Sequence, residues 1–228
     1  MYWILFFLLL IIYVYIGYPL ILILISRLRK KKVIKKDIKP SVSLIISAYN
    51  EEKIIEEKIK NSLRLKYPED KLEIIIASDG SDDRTVEISR KYAEKNNRIK
   101  VLDYKNNEGK TSTQNKTVKE TSGNILVFSD ANSRYEPDAV KKIVRNFADS
   151  EVGAVSGELS YRIKNNESGE GEGLYWKYEQ FLKNMESRIH STLGANGAIY
   201  AVRKKLYRPL PPDIISDFIE PLMVIKNG

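Results

Sequence analysis

Cysteine is absent from the 228 residues, and histidine occurs once, at His190. No disulfide framework, thiolate metal site or cysteine nucleophile can be built, and a lone histidine cannot make a multi-histidine zinc centre. His190 follows an amphipathic stretch and is expected at a surface or interface rather than in catalysis. Glycine-rich phosphate loops are missing too. Neither GxGxxG nor GxxxxGK[ST] occurs, so neither a Rossmann dinucleotide site nor a P-loop is supported.

Charged side chains are absent from residues 1–26, whereas residues 27–39 hold eight Lys or Arg and one Asp. The formal charge of +8 therefore resides almost wholly in that block, and residues 40–228 carry only +1. A groove-binding protein needs its basic surface on the folded domain, so nucleic acid is excluded as the leading partner. Tyr2 to Ile25 is a 24-residue apolar run interrupted only by Gly17 and Pro19. As a helix at ~1.5 Å per residue it reaches ~36 Å, enough for a ~30 Å hydrocarbon core. No basic n-region or small-residue cleavage site marks it as a cleaved signal. It is expected to be a single transmembrane helix (1–26) followed by a basic juxtamembrane linker (27–39). The positive-inside bias then places the N-terminus outside and the domain in the cytoplasm.

Past Pro40, short apolar runs alternate with helical-period stretches, the pattern of βαβ units and a mainly parallel sheet. Strands are expected at Val42–Ala48, Leu72–Ala77, Arg98–Leu102, Asn124–Ser129 and Val152–Tyr161. Helices are expected at Glu51–Leu65, with Asn50 as N-cap, at Arg84–Lys95 and at Lys110–Thr121, where Val118 is almost the only large apolar residue. Another opens at Pro137 and carries Val140, Ile143, Val144 and Phe147. Asn165–Gly173 reads as a glycine-rich loop, followed by a long amphipathic helix through Tyr178, Met185 and Ile189.

In an open α/β sheet, ligands bind outside the carboxyl ends of the strands. Tyr49, Asn50 and Glu51 follow the first strand, Ser78 to Asp83 the second, and Asp130, Ala131 and Asn132 the fourth. Three acidic turns share one rim, with Lys110 as the cation at that level. Such carboxylates need a compensating cation, hydroxyl donors or a helix N-terminus, and a divalent metal bridging a diphosphate supplies one. Each motif alone reads equally well as a turn or a helix cap, and without further context Asp217 reads as the cap of the last helix. Tyr175, Trp176 and Tyr178 read first as packing residues and second as a sugar platform. Gly194, Asn196 and Gly197 read first as a tight turn and second as an acceptor-contacting loop.

Taken in order, SLIISAYNEE, IIIASDGSDDRT, NEGKTSTQN, SDANS, GANGAIYAVR and SDFIEPL resemble the family-2 glycosyltransferases. These are inverting enzymes of GT-A fold that include synthases of cellulose, chitin, hyaluronan and bacterial polysaccharides. The resemblance runs from about Pro40 to the last residue and implies a GT-A, Rossmann-like, mainly parallel sheet with flanking helices over 40–228. It implies that Tyr49, Glu51 and Asp79 hold the nucleoside, usually uridine, and that Lys110 contacts the nucleotide. Asp130 would meet the ribose, diphosphate or metal, with Asn132 as a second metal ligand, and Asp217 would be the general base. The implied reaction moves a sugar from a nucleoside diphosphate-sugar to a glycan or lipid-linked acceptor, with Mg²⁺ or Mn²⁺ as cofactor. Asn132 stands where the family's Asp-x-Asp motif has an acid, so it brings an amide oxygen without charge. The chain ends eleven residues after Asp217, before the family's QxxRW segment. The domain is accordingly expected to be incomplete: a fragment, a form that uses an additional subunit, or an inactive member that binds nucleotide as a membrane partner. A nucleotidyltransferase would also use paired acids and a metal, but would incorporate the nucleotide itself.

Overall fold

A computed structural model describes residues 2–28, 32–158 and 170–227 of the chain, with side chains throughout except at 170–176. The apolar N-terminal run forms helix α1 (Tyr2–Ile12), a five-residue π-helical turn (Tyr13–Gly17) and helix α2 (Tyr18–Leu28). One continuous helix over Tyr2–Leu28 is thus long and apolar enough to cross a membrane. Two compact units are formed, one from 1–32 with 160–193 and the other from 33–159 with 194–228.

The second unit is built on strand β1 (Val42–Ala48), which sits at the centre of the sheet with Val42, Leu44, Ile45 and Ile46 fully buried. A strand covered on both faces reads as a near-continuous apolar run, here broken only by Ser43 and Ser47, which is why its limits were legible. Helix α3 (Ile55–Leu63) starts four residues later than expected, because residues 49–54 form a turn. Asn50 has φ +54° and its Oδ1 accepts from the Asp82 N–H, so it ties two loops together and is not the N-cap. Strand β2 (Leu72–Asp79), helix α4 (Thr85–Ala93) and strand β3 (Ile99–Tyr104) follow. Helix α5 (Lys110–Lys119) forms although it has few apolar residues: it buries Thr111, Ser112, Thr113, Gln114 and Thr117 alongside Val118. Strand β4 (Ile125–Asp130), helix α6 (Ala139–Val144) with its one-turn 3₁₀ continuation, and the short strand β5 (Ala154–Ser156) complete this stretch.

Helix α7 (Glu170–Ile189) belongs to the first unit and packs on α2, with Tyr18 Oη donating to Glu186 at 2.9 Å and Ser26 Oγ lying 3.4 Å from Met185 Sδ. It takes in Glu170–Gly173, which the sequence reading assigned to a loop. Residues 165–169, the end of the expected strand at 159–161 and the side chains of Tyr175 and Trp176 lie outside what is described. His190 is exposed just past α7.

Strand β6 (Ile199–Arg203), which the sequence pattern did not reveal, runs antiparallel between β4 and β5. The sheet order is β3-β2-β1-β4-β6-β5, parallel through its first four strands. The expected mixed α/β sheet with flanking helices is therefore present. Pairing of Ala48 with Ser78 and of Ser47 with Asp130 brings the carboxyl ends of β1, β2 and β4 to one level.

Helix α8 (Ser216–Asn227) contains Pro221. Proline has no N–H to give to the carbonyl four residues back. That carbonyl belongs to Asp217, and it accepts instead from the Ala195 N–H at 2.8 Å.

Candidate active site

Asp79 ends β2 and is only 5% exposed. Its Oδ1 accepts from the Glu108 N–H at 2.9 Å and the Thr113 hydroxyl at 2.7 Å, and its Oδ2 from the Gly109 N–H at 2.9 Å. Three donors on a buried carboxylate supply the compensation that burial of a charge requires. Asp79 thus clamps the loop entering α5. The loop lies so close that a Cβ at Gly80, whose φ is +71°, would stand 2.6 Å from the Asn107 nitrogen.

The first two rim turns are laced together. Asn50 N–H donates to Ser81 Oγ, Glu51 N–H to Thr85 Oγ1 at 2.7 Å, and Glu52 N–H to Asp83 Oδ2 at 2.9 Å. Asp83 also accepts from the Thr85 N–H, so it serves as the turn residue at the start of α4. Tyr49 stands half exposed at the end of β1. Burial raises the pKa of Glu51 above the usual carboxylate value, and the negative charges of Asp83 and Asp130 add to the effect. This electrostatic coupling brings the β1 and β4 turns into one field.

At the end of β4, Asp130 Oδ1 accepts from Lys110 Nζ at 2.5 Å. Its other oxygen faces Gly197. A Cβ built on Gly197 would lie 2.3 Å from Asp217 Oδ2 and 3.5 Å from Asp130 Oδ2. Both oxygens surround one point, so they are no more than about 5.8 Å apart. Glycine is required at this position by close approach, not by its backbone angles. Asp217 is half-buried in the first turn of α8, held against the Gly197 turn through the bond made available by Pro221. Asn132 is exposed on the turn after β4.

Of the residues singled out from the sequence, Asp130, Asp217 and Lys110 converge, with Glu51 in their field. Asp79 joins them through α5, which carries both its clamp and Lys110. Among the described residues, no three His, Cys, Asp or Glu side chains stand close enough to hold a metal ion unaided. The donor set still suits one. Two carboxylates face a common point against a single lysine, which leaves excess negative charge, and a diphosphate would complete a hard cation's oxygen shell.

Sequence reasoning missed Lys58. It is 3% exposed, donates to Ser133 O and Oγ at 2.7 Å each, and lies 3.8 Å above the Tyr135 ring. Burial pushes its pKa down to about 7, partly opposed by the charge of Asp130. The signal was its spacing: three residues after Ile55, it falls on the buried face of α3.

A mainly parallel sheet that presents acids from separate strand ends around one rim puts them where open α/β sheets bind their ligands. The family model for Glycosyl transferase family 2 matches residues 43–208. The chain belongs to that family. It is 38% identical over 107 residues to the poly-beta-1,6-N-acetyl-D-glucosamine synthase of Staphylococcus aureus, an alignment covering 46% of this chain and 25% of that protein. Among solved structures it resembles the mannosyltransferase PcManGT from Pyrobaculum calidifontis, determined in complex with GDP-Man and Mn²⁺, with a TM-score of 0.75 and 26% identity over 90% of this chain and 59% of that one. Staphylococcus aureus TarS 1–349, determined with UDP-GlcNAc, shares the GT-A fold at a TM-score of 0.59 and 18% identity, over 82% of this chain and 53% of that one. The chain thus spans about a quarter of the synthase and about three-fifths of the mannosyltransferase.

Proposed function

We propose that this chain carries the donor site and the general base of a membrane-anchored inverting glycosyltransferase. It moves a sugar from a nucleoside diphosphate-sugar to a hydroxyl of a glycan or lipid-linked acceptor. The observation that supports this reading is the approach of Asp130 and Asp217 to one point at Gly197, with Lys110 alongside. In the proposed arrangement, Tyr49, Glu51 and Asp79 border the nucleoside. Asp79 does so from a position already fixed by its own loop, so its contribution is largely to shape.

Asp217 takes the proton of the acceptor hydroxyl as that oxygen attacks the anomeric carbon on the face opposite the leaving group. The bond from that carbon to the diphosphate breaks in the same step, which inverts the centre and needs no covalent intermediate. Lys110 turns from Asp130 to the departing phosphate oxygens. Asp130, with the amide of Asn132, would hold Mg²⁺ or Mn²⁺, which when bound supplies Lewis-acid stabilisation of the leaving diphosphate. The apolar helix anchors the chain, and the basic residues that follow place the domain on the cytoplasmic side.

The test is turnover and donor binding by the membrane-anchored chain, assayed with UDP- and GDP-sugars in the presence of Mn²⁺. Asp217→Asn is expected to cut turnover by ~10²-fold or more, the usual range for a general base, while donor binding persists. The reading is overturned if none of these donors binds, or if Asp217→Asn turns over like the parent.

A further inference from the structure

Behind Asp217 lies a set of buried oxygens that the transfer reaction does not use. Glu220, one helical turn further along α8, is fully buried, and neither of its carboxyl oxygens has a hydrogen-bond partner. Tyr200 on β6 is 1% exposed and Ser216 at the start of α8 is 5% exposed, and their hydroxyls are also unpartnered. Among the described residues, no lysine or arginine pairs with Glu220. A buried carboxylate without a cation is strongly disfavoured, and such a group keeps its proton instead.

We propose that Glu220 is a positioning residue for the base: its protonated carboxyl lets the first turn of α8 seat against β6, and that seat holds Asp217 at Gly197. The inference rests on the reading of Asp217 as the base.

Three residues apart on α8, Asp217 and Glu220 are neighbours on one side of the helix; Asp217 reaches Gly197 at the rim, while Glu220 is fully buried beside Tyr200 and Tyr207. A neutral acid fits there. A carboxylate does not, and its escape toward water moves the turn that carries Asp217. Burial pushes the Glu220 pKa up to about 7, and the nearby backbone N–H of Arg208, which does not reach hydrogen-bond geometry, offsets only part of the effect. The titratable groups facing this charge are Tyr200 on β6 and Tyr207 after it, while Asp217 acts on Tyr200. None of them supplies a positive charge.

The test compares pH profiles of kcat/KM for the parent chain and Glu220→Gln, which keeps the shape and stays neutral at every pH. With half-ionisation near pH 7, the parent is expected to lose about tenfold in rate between pH 6 and pH 8, and Glu220→Gln to keep its rate. A measurement independent of activity is the infrared carbonyl stretch of a protonated carboxyl group. The parent should show one such band at pH 6 that fades near neutrality and is missing from Glu220→Gln. Coincident alkaline limbs in the two proteins, or an infrared difference with no such band, overturn the proposal. If instead Asp217→Asn retains full turnover, the assignment of the base fails, while the infrared result still reports on Glu220.

Discussion

Replacing Gly197 by alanine adds one carbon to the point where two carboxylates meet. The new Cβ would lie 2.3 Å from Asp217 Oδ2, whereas real Cβ contacts essentially never fall below 3.0 Å. Something must yield by at least about 0.7 Å, and the groups that can yield are Asp217, Asp130 and the turn itself. Misplacing a reacting group by ~1 Å costs on the order of 10²-fold in rate, so Gly197→Ala is expected to lower kcat by about two orders of magnitude. Stability should respond differently. Gly197 does not occupy the left-handed region, so alanine adopts the same backbone and reduces the freedom of the unfolded chain. That contributes up to ~1 kcal/mol in favour of folding and offsets part of the local crowding. The assay is steady-state transfer beside a urea unfolding curve on the same preparation. Parental turnover in Gly197→Ala would refute the convergence of Asp130 and Asp217 on this point.

Pro221→Ala restores an N–H that competes for the Asp217 carbonyl. The Ala195 bond should be lost and turnover should fall, with stability equal to or above the parent's. Asp79→Asn removes the charge that three donors converge on and should cost ~2 kcal/mol in urea unfolding, because buried donors lose a charged acceptor. An unchanged midpoint would show that the clamp is not structural. Lys58 binds its proton less readily in the folded chain than its ordinary value of 10.5 would give, and the unfolded chain therefore holds more protons between pH 7 and 10.5. Stability should rise across that window, by at most about 5 kcal/mol at ~1.4 kcal/mol per pH unit, and be lost again as pH falls toward 7. Lys58→Met should flatten the slope, and an identical slope in both proteins would sink the argument. Asp130→Asn should abolish any gain in donor binding from Mn²⁺, measured by titration with and without a chelator.

The sheet was legible wherever burial on both faces left a mostly apolar run, as at Val42–Ala48. It was not legible at Ile199–Arg203, where a five-residue antiparallel strand follows directly on a turn. The body of α3 lies within the expected Glu51–Leu65, but its start was misread, since Asn50 spends its side chain on the neighbouring loop. Lys58 was passed over because a lysine on an apolar stripe reads as an exception and not as a buried donor. The acids at the rim were visible as residues, whereas their convergence was not. Gly197 and Asp217 are twenty positions apart, and the bond from Ala195 to the Asp217 carbonyl helps to bring them together. Pro221 was the available clue to that bond.

Under the proposed function, the pair formed by Lys110 and Asp130 makes donor capture an exchange of partners. Each of these residues neutralises the other at 2.5 Å. In that reading an arriving pyrophosphate would draw Lys110 away, and the abandoned carboxylate would then call for a substitute cation. Metal and nucleotide should consequently enter as allies, each raising the affinity for the other, and the net gain is smaller than either contact alone would suggest.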